Sequence, residues 1–227
     1  MATVESNSVS GPSPSVPLRT RIGAERRFAL GPITWDGYLA IASALGDRSG
    51  IRLTFDDGQL ELMNPSLSHE FSKKRIARLL ELAAEEEGID YVPGGSTTFR
   101  RADLLKALEP DDCYWLGSAE AMRGKREWDG ESDSPPDLVL EVEISPSSIN
   151  RMKLYAALGV PEVWRFDGEL LRFEILGAGK YREGESLAFP YLRPEVIAEL
   201  IDERTHPSQL EMMSSFRTWL LANRPSG

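Results

Sequence analysis

The clearest hydrophobic pattern in the chain is the alternation in residues 135–145, PPDLVLEVEIS. The even-numbered positions after the prolines are all apolar, whereas the odd-numbered positions include three acids, Asp137, Glu141 and Glu143. Successive side chains of a β-strand point to opposite faces. The pattern therefore predicts a strand with one apolar face and one acidic face.

Other segments have patterns typical of helices and hairpins. Apolar positions recur every three or four residues in segments that end at glycines such as Gly46 and Gly88. Asp57-Gly58 and Asp167-Gly168 each separate two β-type runs, which predicts two hairpins. The predicted helices span about 34–46, 68–87, 148–158, 194–202 and 208–222, and further strands are predicted near 89–93, 96–101, 113–117 and 180–189. This order predicts an α/β or α+β domain, a mixed β-sheet flanked by helices.

Composition divides the chain into three parts. Residues 1–30 begin with a stretch rich in Ser, Pro and Gly, and we predict a disordered N-terminal tail there. Residues 31–203 contain the predicted elements of a single folded domain. Residues 204–227 form a helical extension, whose amphipathic helix either packs on its own domain, which is the simpler interpretation, or provides a dimer face.

The composition narrows the range of functions. The chain has 227 residues and a formal net charge of −10, which argues against a surface that grips nucleic acid through bulk positive charge. No apolar stretch approaches the roughly 18 residues of a membrane span. The single cysteine, Cys113, excludes an internal disulfide and a Cys-rich zinc site. These features favour a cytoplasmic protein without a membrane partner.

The acidic face of the predicted strand has two interpretations. Polar faces of alternating strands are most often in contact with water. Like charges on neighbouring positions of one face repel each other, however, and a second Pro-Asp unit, with Asp111 or Asp112, precedes another strand-like segment. Carboxylates that converge from two strands suit a hard cation such as Mg²⁺, which orients and acidifies water in phosphate ester chemistry.

Basic and polar residues on two predicted helices are further candidates. Arg151 shares a helical face with the apolar residues of its helix, so it should lie near the acids, either in an ion pair with Glu141 or Glu143 or in contact with a phosphate. His69 lies on the apolar stripe of the long helix, as a core histidine would. Glu70 lies at the N-terminus of that helix, where a carboxylate is favourable in any case.

Several segments together resemble a known family. The segments, in order, are ITWDGYLAI, DDGQLELMNPSLSHE, GGSTTFRRADL, LEPDDCYWL, PPDLVLEVEIS and LYAALGVPEVWRFDG, within about residues 33–200. They resemble the "putative restriction endonuclease" family, a bacterial branch of the PD-(D/E)XK nuclease superfamily. The resemblance implies a nuclease domain over 31–203, with a mixed four- to five-stranded sheet flanked by helices.

The resemblance also implies roles for individual residues. Asp111 and Glu141 become the metal ligands, and Asp137, four residues and about 13 Å before Glu141, becomes a strand-entry residue. Glu143 stands where the superfamily has its lysine, and we include it as a candidate metal ligand and catalytic residue. Arg151 aligns with the family's lysine on the following helix. Glu70 matches a motif of the first core helix and is expected at the rim of the site.

The resulting functional expectation is an endonuclease that hydrolyses DNA with Mg²⁺ or Mn²⁺. Asp111, Glu141, Glu143, Arg151 and Glu70 form its predicted site. DNA is the expected substrate, and a homodimer is one expected arrangement. The alternative is a catalytically inactive module that keeps the fold for protein binding or dimerisation; the acid at position 143 and the net charge favour it.

Overall fold

The chain folds around two β-sheets, and the structure, a computed structural model, describes residues 25–46 and 50–224. The predicted disorder of residues 1–24 lies outside these residues. The strands are β1 (Arg26–Leu30), β2 (Arg52–Asp56), β3 (Gln59–Asn64), β4 (Val92–Pro93), β5 (Phe99–Arg101), β6 (Lys106–Leu108), β7 (Asp112–Trp115), β8 (Leu138–Val142), β9 (Glu162–Phe166), β10 (Leu171–Gly177) and β11 (Lys180–Glu183). The helices are α1 (Trp35–Leu45), α2 (Leu67–Glu87), α3 (Ala119–Met122), α4 (Arg151–Leu158), α5 (Pro194–Ile201) and α6 (Gln209–Asn223).

The larger sheet is mixed and has the strand order β11-β10-β9-β8-β7-β4. β8 and β9 are parallel, and α4 makes the crossover that parallel neighbours require. The smaller sheet, β1-β3-β2-β6-β5, is antiparallel throughout its described pairs. The predicted fold class, α+β with a mixed sheet and flanking helices, is confirmed.

Local sequence signals account for many element ends. The Ser66 side chain accepts a hydrogen bond from the His69 N–H and so caps α2, and Gly88 ends that helix in the left-handed conformation. Asp57 and Gly58 both have positive φ, as a two-residue hairpin turn between β2 and β3 requires. β9 and β10 pair antiparallel across the four residues 167–170, so the second predicted hairpin is also present, with a longer loop.

Three apolar clusters fill the interior. The largest lies between one face of the large sheet and α2, α5 and α6, and includes Trp164 and Phe216. A second packs α4 against the opposite face of that sheet, around Tyr155 and Val163. A third packs α1 against the small sheet. The large sheet is thus covered on both faces, which explains why its central strands are buried.

The structure corrects three details of the sequence interpretation and agrees with a fourth. β8 ends at Val142 and is buried on both faces, so its one acid, Glu141, does not lie on a solvated strand face. Residues 26–30 form β1, which pairs with β3 and is not part of a disordered tail. β6, a strand of three residues, was not predicted. α6 lies in the extension predicted for residues 204–227, yet it packs into the main core, as the simpler interpretation expected.

Candidate acidic site

Two carboxylates meet where β7 begins and β8 ends. In the antiparallel pair, Asp112 lies opposite Leu140, so the preceding residue, Asp111, lies opposite Glu141. The Asp111 Oδ2 atom accepts a hydrogen bond from the backbone N–H of Val142 at 2.6 Å, which ties the start of one strand to the end of the other. The predicted convergence of acids from two neighbouring strands is therefore present for Asp111 and Glu141.

Asp111 is surrounded by donors. Its Oδ1 atom accepts from the Arg52 guanidinium and from the His69 Nε2 atom, the latter at 2.8 Å. Only 1% of Asp111 is exposed. Burial by itself raises a carboxyl pKa, but the hydrogen bond from His69 and the charge of Arg52 outweigh burial and lower the pKa of Asp111. Asp111 is consequently held in its ionised form.

Glu141 is held by two residues of α4. Arg151 donates from Nε to Oε2 at 3.1 Å and from its terminal nitrogen to Oε1 at 2.6 Å, and the Tyr155 hydroxyl also donates to Oε1. Burial raises the pKa of Glu141, and the nearby charge of Asp111 adds to this increase, while Arg151 offsets part of it. The two acids thus experience opposite pKa shifts although they lie side by side.

Arg151 faces the sheet as its helical spacing predicts. It shares the buried side of α4 with Leu154, Tyr155 and Leu158. Besides Glu141, the Arg151 guanidinium donates to the Glu109 carbonyl at 2.7 Å and to the Thr54 hydroxyl. The ion pair with Glu141, which was one of the two roles considered from the sequence, is what the structure contains. The arginine thus links Glu141 to β2 and to the loop between β6 and β7.

The other two acids of the PPDLVLEVEIS segment have different partners. Glu143 lies just past the end of β8, where it pairs with Arg165 at 2.7 Å and accepts from the Ser147 N–H at 3.1 Å. Asp137 precedes β8 and accepts from the backbone N–H groups of Leu116 and Ser118. Asp137 is thus a structural residue at the entry of the strand. Glu143 shares a cleft of about 410 Å³ with Glu141 and Arg151.

Glu70 is linked to Asp111 through Arg52, which pairs with both carboxylates. Its carboxylate pairs with Arg52 at 3.1 Å and with Lys73, one turn further along α2, at 2.7 Å. These three residues line a second cleft, of about 420 Å³. The position agrees with the expectation that Glu70 rims the site. Asp112, the other candidate of the Pro-Asp unit, does not join the pair: its side chain accepts from the Cys113 N–H.

The sequence interpretation missed three contributors to the site. Arg52 begins β2, Glu25 precedes β1, and Tyr155 lies one helical turn after Arg151. Only Tyr155 had a usable signal, since it shares the helical face of Arg151. Arg52 and Glu25 reach the acids from distant parts of the chain, 59 and 86 residues before Asp111 respectively. Their roles depend on sheet pairing that no local pattern encodes.

The donor set of the acid pair suits a small divalent cation. A carboxylate has about four acceptor positions. From the described residues, Asp111 accepts two hydrogen bonds on Oδ1 and one on Oδ2, and Glu141 accepts two on Oε1 and one on Oε2. One position therefore stays open on Oδ2 of Asp111 and one on Oε2 of Glu141.

Within the described part of the chain, no group of three or more His, Cys, Asp or Glu residues is arranged to hold a metal. Mg²⁺ commonly uses only one or two carboxylates and keeps several waters, so the two acids fit it.

The fold and the site together define an α+β protein with a buried acidic centre shared by two neighbouring strands. The chain belongs to the family described as "Putative restriction endonuclease" (Uma2), whose model matches residues 35–205. This match confirms the resemblance seen in the sequence. A comparison with curated proteins found no match. Over residues 25–46 and 50–224, no helix is long and apolar enough to cross a membrane.

Proposed function

We propose that the protein is a metal-dependent endonuclease that hydrolyses phosphodiester bonds of DNA, with Asp111 and Glu141 as its metal ligands. The observation that carries this proposal is the burial of two adjacent carboxylates, 1% and 5% exposed, within a network of cationic groups. Burial of charges opposes folding unless each is well paired, and perturbed carboxylates are concentrated at functional sites. Membership of a restriction-endonuclease-like family supports the same conclusion.

The residues around the acids have separate tasks in this proposal. Arg52 and His69 keep Asp111 ionised and fixed, so that its remaining Oδ2 position is available. Arg151 and Tyr155 orient Glu141 in the same way. Mg²⁺ or Mn²⁺ held by the two acids would lower the pKa of a water molecule and neutralise charge on the phosphate. Because all three nitrogens of Arg151 already donate to protein groups, we assign it to the orientation of Glu141 rather than to phosphate binding.

The rim of the site provides groups that DNA could meet. Arg165 and Lys73 lie beside the two clefts, each paired with a carboxylate, Glu143 or Glu70. The side chains of Arg165 and Glu70 are 33% and 34% exposed, whereas the Lys73 side chain is only 10% exposed, so Arg165 is the more accessible of the two cations. In this proposal Glu143 and Glu70 position the rim cations and are not metal ligands. The substrate would thus be contacted through local cations, since the net charge of −10 disfavours a broad basic surface.

A second candidate function is a catalytically inactive module that keeps the fold for protein binding or dimerisation. One observation favours it: both acids already pair with arginines, so the charges of the site are compensated by protein groups alone. Such a module would be indifferent to divalent ions. The two candidates therefore differ in a single measurable property, the dependence on metal.

A cleavage assay separates the two candidates. Supercoiled and linear DNA are incubated with the full chain in Mg²⁺, Mn²⁺ or EDTA, beside Glu141→Gln and the control Glu127→Gln, which changes an exposed loop residue. We expect cleavage only with a divalent ion, its loss in Glu141→Gln, and no change in Glu127→Gln. Absence of cleavage by the folded wild type in every ion, or equal cleavage by Glu141→Gln, would reject the proposed nuclease site and favour the module.

A further inference from the structure

The segment that precedes the family match contributes to the acidic site. The match begins at residue 35, whereas Glu25 and β1 lie before it. β1 pairs with β3 along its whole length, from Arg26 opposite Asn64 to Leu30 opposite Leu60. This pairing brings the chain directly before β1 to the acidic site.

The Glu25 side chain is fully buried there and makes several polar contacts. Its side chain has no exposed surface, and its Oε1 atom lies 2.5 Å from Nδ1 of His69. The Oε2 atom accepts from both the backbone N–H and the hydroxyl of Ser145, in the loop after β8. Arg27 approaches the same oxygen at 3.4 Å. A single carboxylate thus links the N-terminal segment, α2 and the loop that follows Glu141.

His69 connects Glu25 to Asp111. The ring is fully buried, with Nδ1 against Glu25 and Nε2 against Asp111 at 2.8 Å. An ionised carboxylate only accepts hydrogen bonds, so both ring nitrogens must donate. The two bonds fix the ring orientation, because any rotation would leave a buried nitrogen without its partner. The direction of the His69 Nε2–H bond toward Asp111 is therefore determined by Glu25.

We propose that Glu25 is a positioning residue for the acidic site: it holds His69 so that Nε2 donates to Asp111 Oδ1, which leaves Oδ2 of Asp111 directed by Val142 and available to a divalent cation. This inference rests on the proposed function, since it assigns Glu25 to the metal site. It also goes beyond that function, because Glu25 lies outside the family match and touches neither ligand. Hydrogen-bond partners of ligand side chains typically affect metal affinity or activity by 10- to 100-fold.

Packing alone does not explain a carboxylate at this position. An apolar side chain would fill the same space without the desolvation that a buried charge requires. Glu25 instead satisfies one donor from His69 and two from Ser145. The contacts are directional, so their loss should change the orientation of His69 as well as the stability of the fold.

The test combines metal binding with a direct signal from His69. The chain has two histidines, His69 and His206, so isotope-labelled histidine gives two ring spin systems, and His206, in the loop after α5, serves as the internal reference. Mn²⁺ affinity is measured by calorimetry for the full-length wild type, Glu25→Ala and Glu25→Gln. A fourth protein, Met213→Ala, carries a core truncation in α6 and controls for lost stability.

A positioning role predicts three results. Glu25→Ala weakens Mn²⁺ binding by about 10-fold or more, and the slowly exchanging ring N–H signals of His69 shift or disappear. Glu25→Gln keeps an acceptor oxygen for Nδ1–H but turns an amide NH2 toward the Ser145 donors, so it should retain the Nε2–H signal and weaken Mn²⁺ binding less than Glu25→Ala does. Met213→Ala should lower Tm and leave Mn²⁺ affinity unchanged.

Other results overturn the inference or the function beneath it. Wild-type Mn²⁺ affinity in folded Glu25→Ala, or an unchanged His69 Nε2–H signal, would reject the positioning role while the proposed metal site stands. Equal weakening in Met213→Ala would show a stability effect and would also reject it. If the wild type binds no Mn²⁺, the proposed metal site fails, and loss of the His69 signals in Glu25→Ala would then show that the contacts are architectural only.

Discussion

The inner end of β8 and the loop just beyond it hold the same kind of ion pair in two different environments. Glu141 and Glu143 are two residues apart, and each pairs with an arginine. The Glu141–Arg151 pair is buried, with side-chain exposures of 7% and 9%, whereas Glu143 and Arg165 are exposed by 20% and 33%. The same kind of glutamate–arginine pair is therefore buried at position 141 and lies at the rim of the site at position 143.

Burial, rather than the alternation along the sequence, determines the role of each acid. β8 lies between β7 and β9 and is covered on both faces, so an acid within it needs a partner inside the protein. Two residues later, past the end of β8, the Glu143 side chain is 20% exposed and reaches solvent. The energetic weight of each pair should follow the same order.

Replacement of each arginine should reveal the largest difference in stability between the two ion pairs. Arg151→Met leaves Glu141 buried without its main partner, and we expect the free energy of unfolding to fall by about 3–5 kcal/mol. Arg165→Met, the matched change at the rim, should cost less than about 1 kcal/mol. Urea unfolding of both variants measures the difference. Equal losses would contradict the contrast between the inner and outer pair.

The pH dependence that His69 gives to the free energy of unfolding should be nearly as large as the effect of Arg151→Met. Burial disfavours a charged His69, but the hydrogen bonds to Asp111 and Glu25 outweigh burial and raise the pKa of His69 to about 9 from 6.5. A group whose pKa is raised by folding stabilises the fold fully below its unfolded pKa. His69 should therefore stabilise the protein below pH 6.5, and this contribution should be lost as the pH rises through about 9.

The raised pKa of His69 corresponds to a contribution on the order of 3 kcal/mol to the free energy of unfolding. Unfolding by urea between pH 6 and pH 10, in EDTA, measures it. His69→Asn should be less stable at pH 6 and should show a flatter profile. A wild-type stability that stays constant over this range would show that His69 is not held between two ionised acids.

Asp137 should give a smaller effect on stability, because its partners are neutral groups, the N–H groups of Leu116 and Ser118 and the Ser118 hydroxyl. Asp137→Ala removes the acceptor of the Leu116 and Ser118 N–H groups, and we expect a loss of about 1–2 kcal/mol. Asp137→Asn keeps an acceptor oxygen and should retain most of the stability. Thermal unfolding of the two variants measures this difference in stability. If alanine and asparagine are equally stable, Asp137 does not act as an acceptor for this turn.

Local chemistry made most of the fold predictable. The Asp57-Gly58 turn, the Ser66 cap and the Gly88 end of α2 are each encoded within a few residues. The spacing of Arg151 also placed its side chain against the sheet correctly. By contrast, β6 has only three residues, and the length of β1 is set by its pairing with β3, so neither had a periodic signal of its own.

The candidate site was predictable only in part. Asp111 and Glu141 follow from two strand-like segments and the family resemblance, and the structure brings them together. The alternation suggested a single acidic face with Glu143 beside Glu141, but the strand ends at Val142, so Glu143 turns to Arg165. Arg52 and Glu25 depend on the pairing of β1, β2 and β3, which is long-range information.

The central claim is that the inner acid belongs to a metal site and the outer acid does not. Titration of Mn²⁺ into the wild type, Glu141→Gln and Glu143→Gln tests this claim most directly, because the two variants make the same change two residues apart. We predict at least a tenfold loss of affinity in Glu141→Gln and less than a twofold change in Glu143→Gln. Equal affinities in all three proteins, or a loss confined to Glu143→Gln, would show that Glu141 is not a metal ligand.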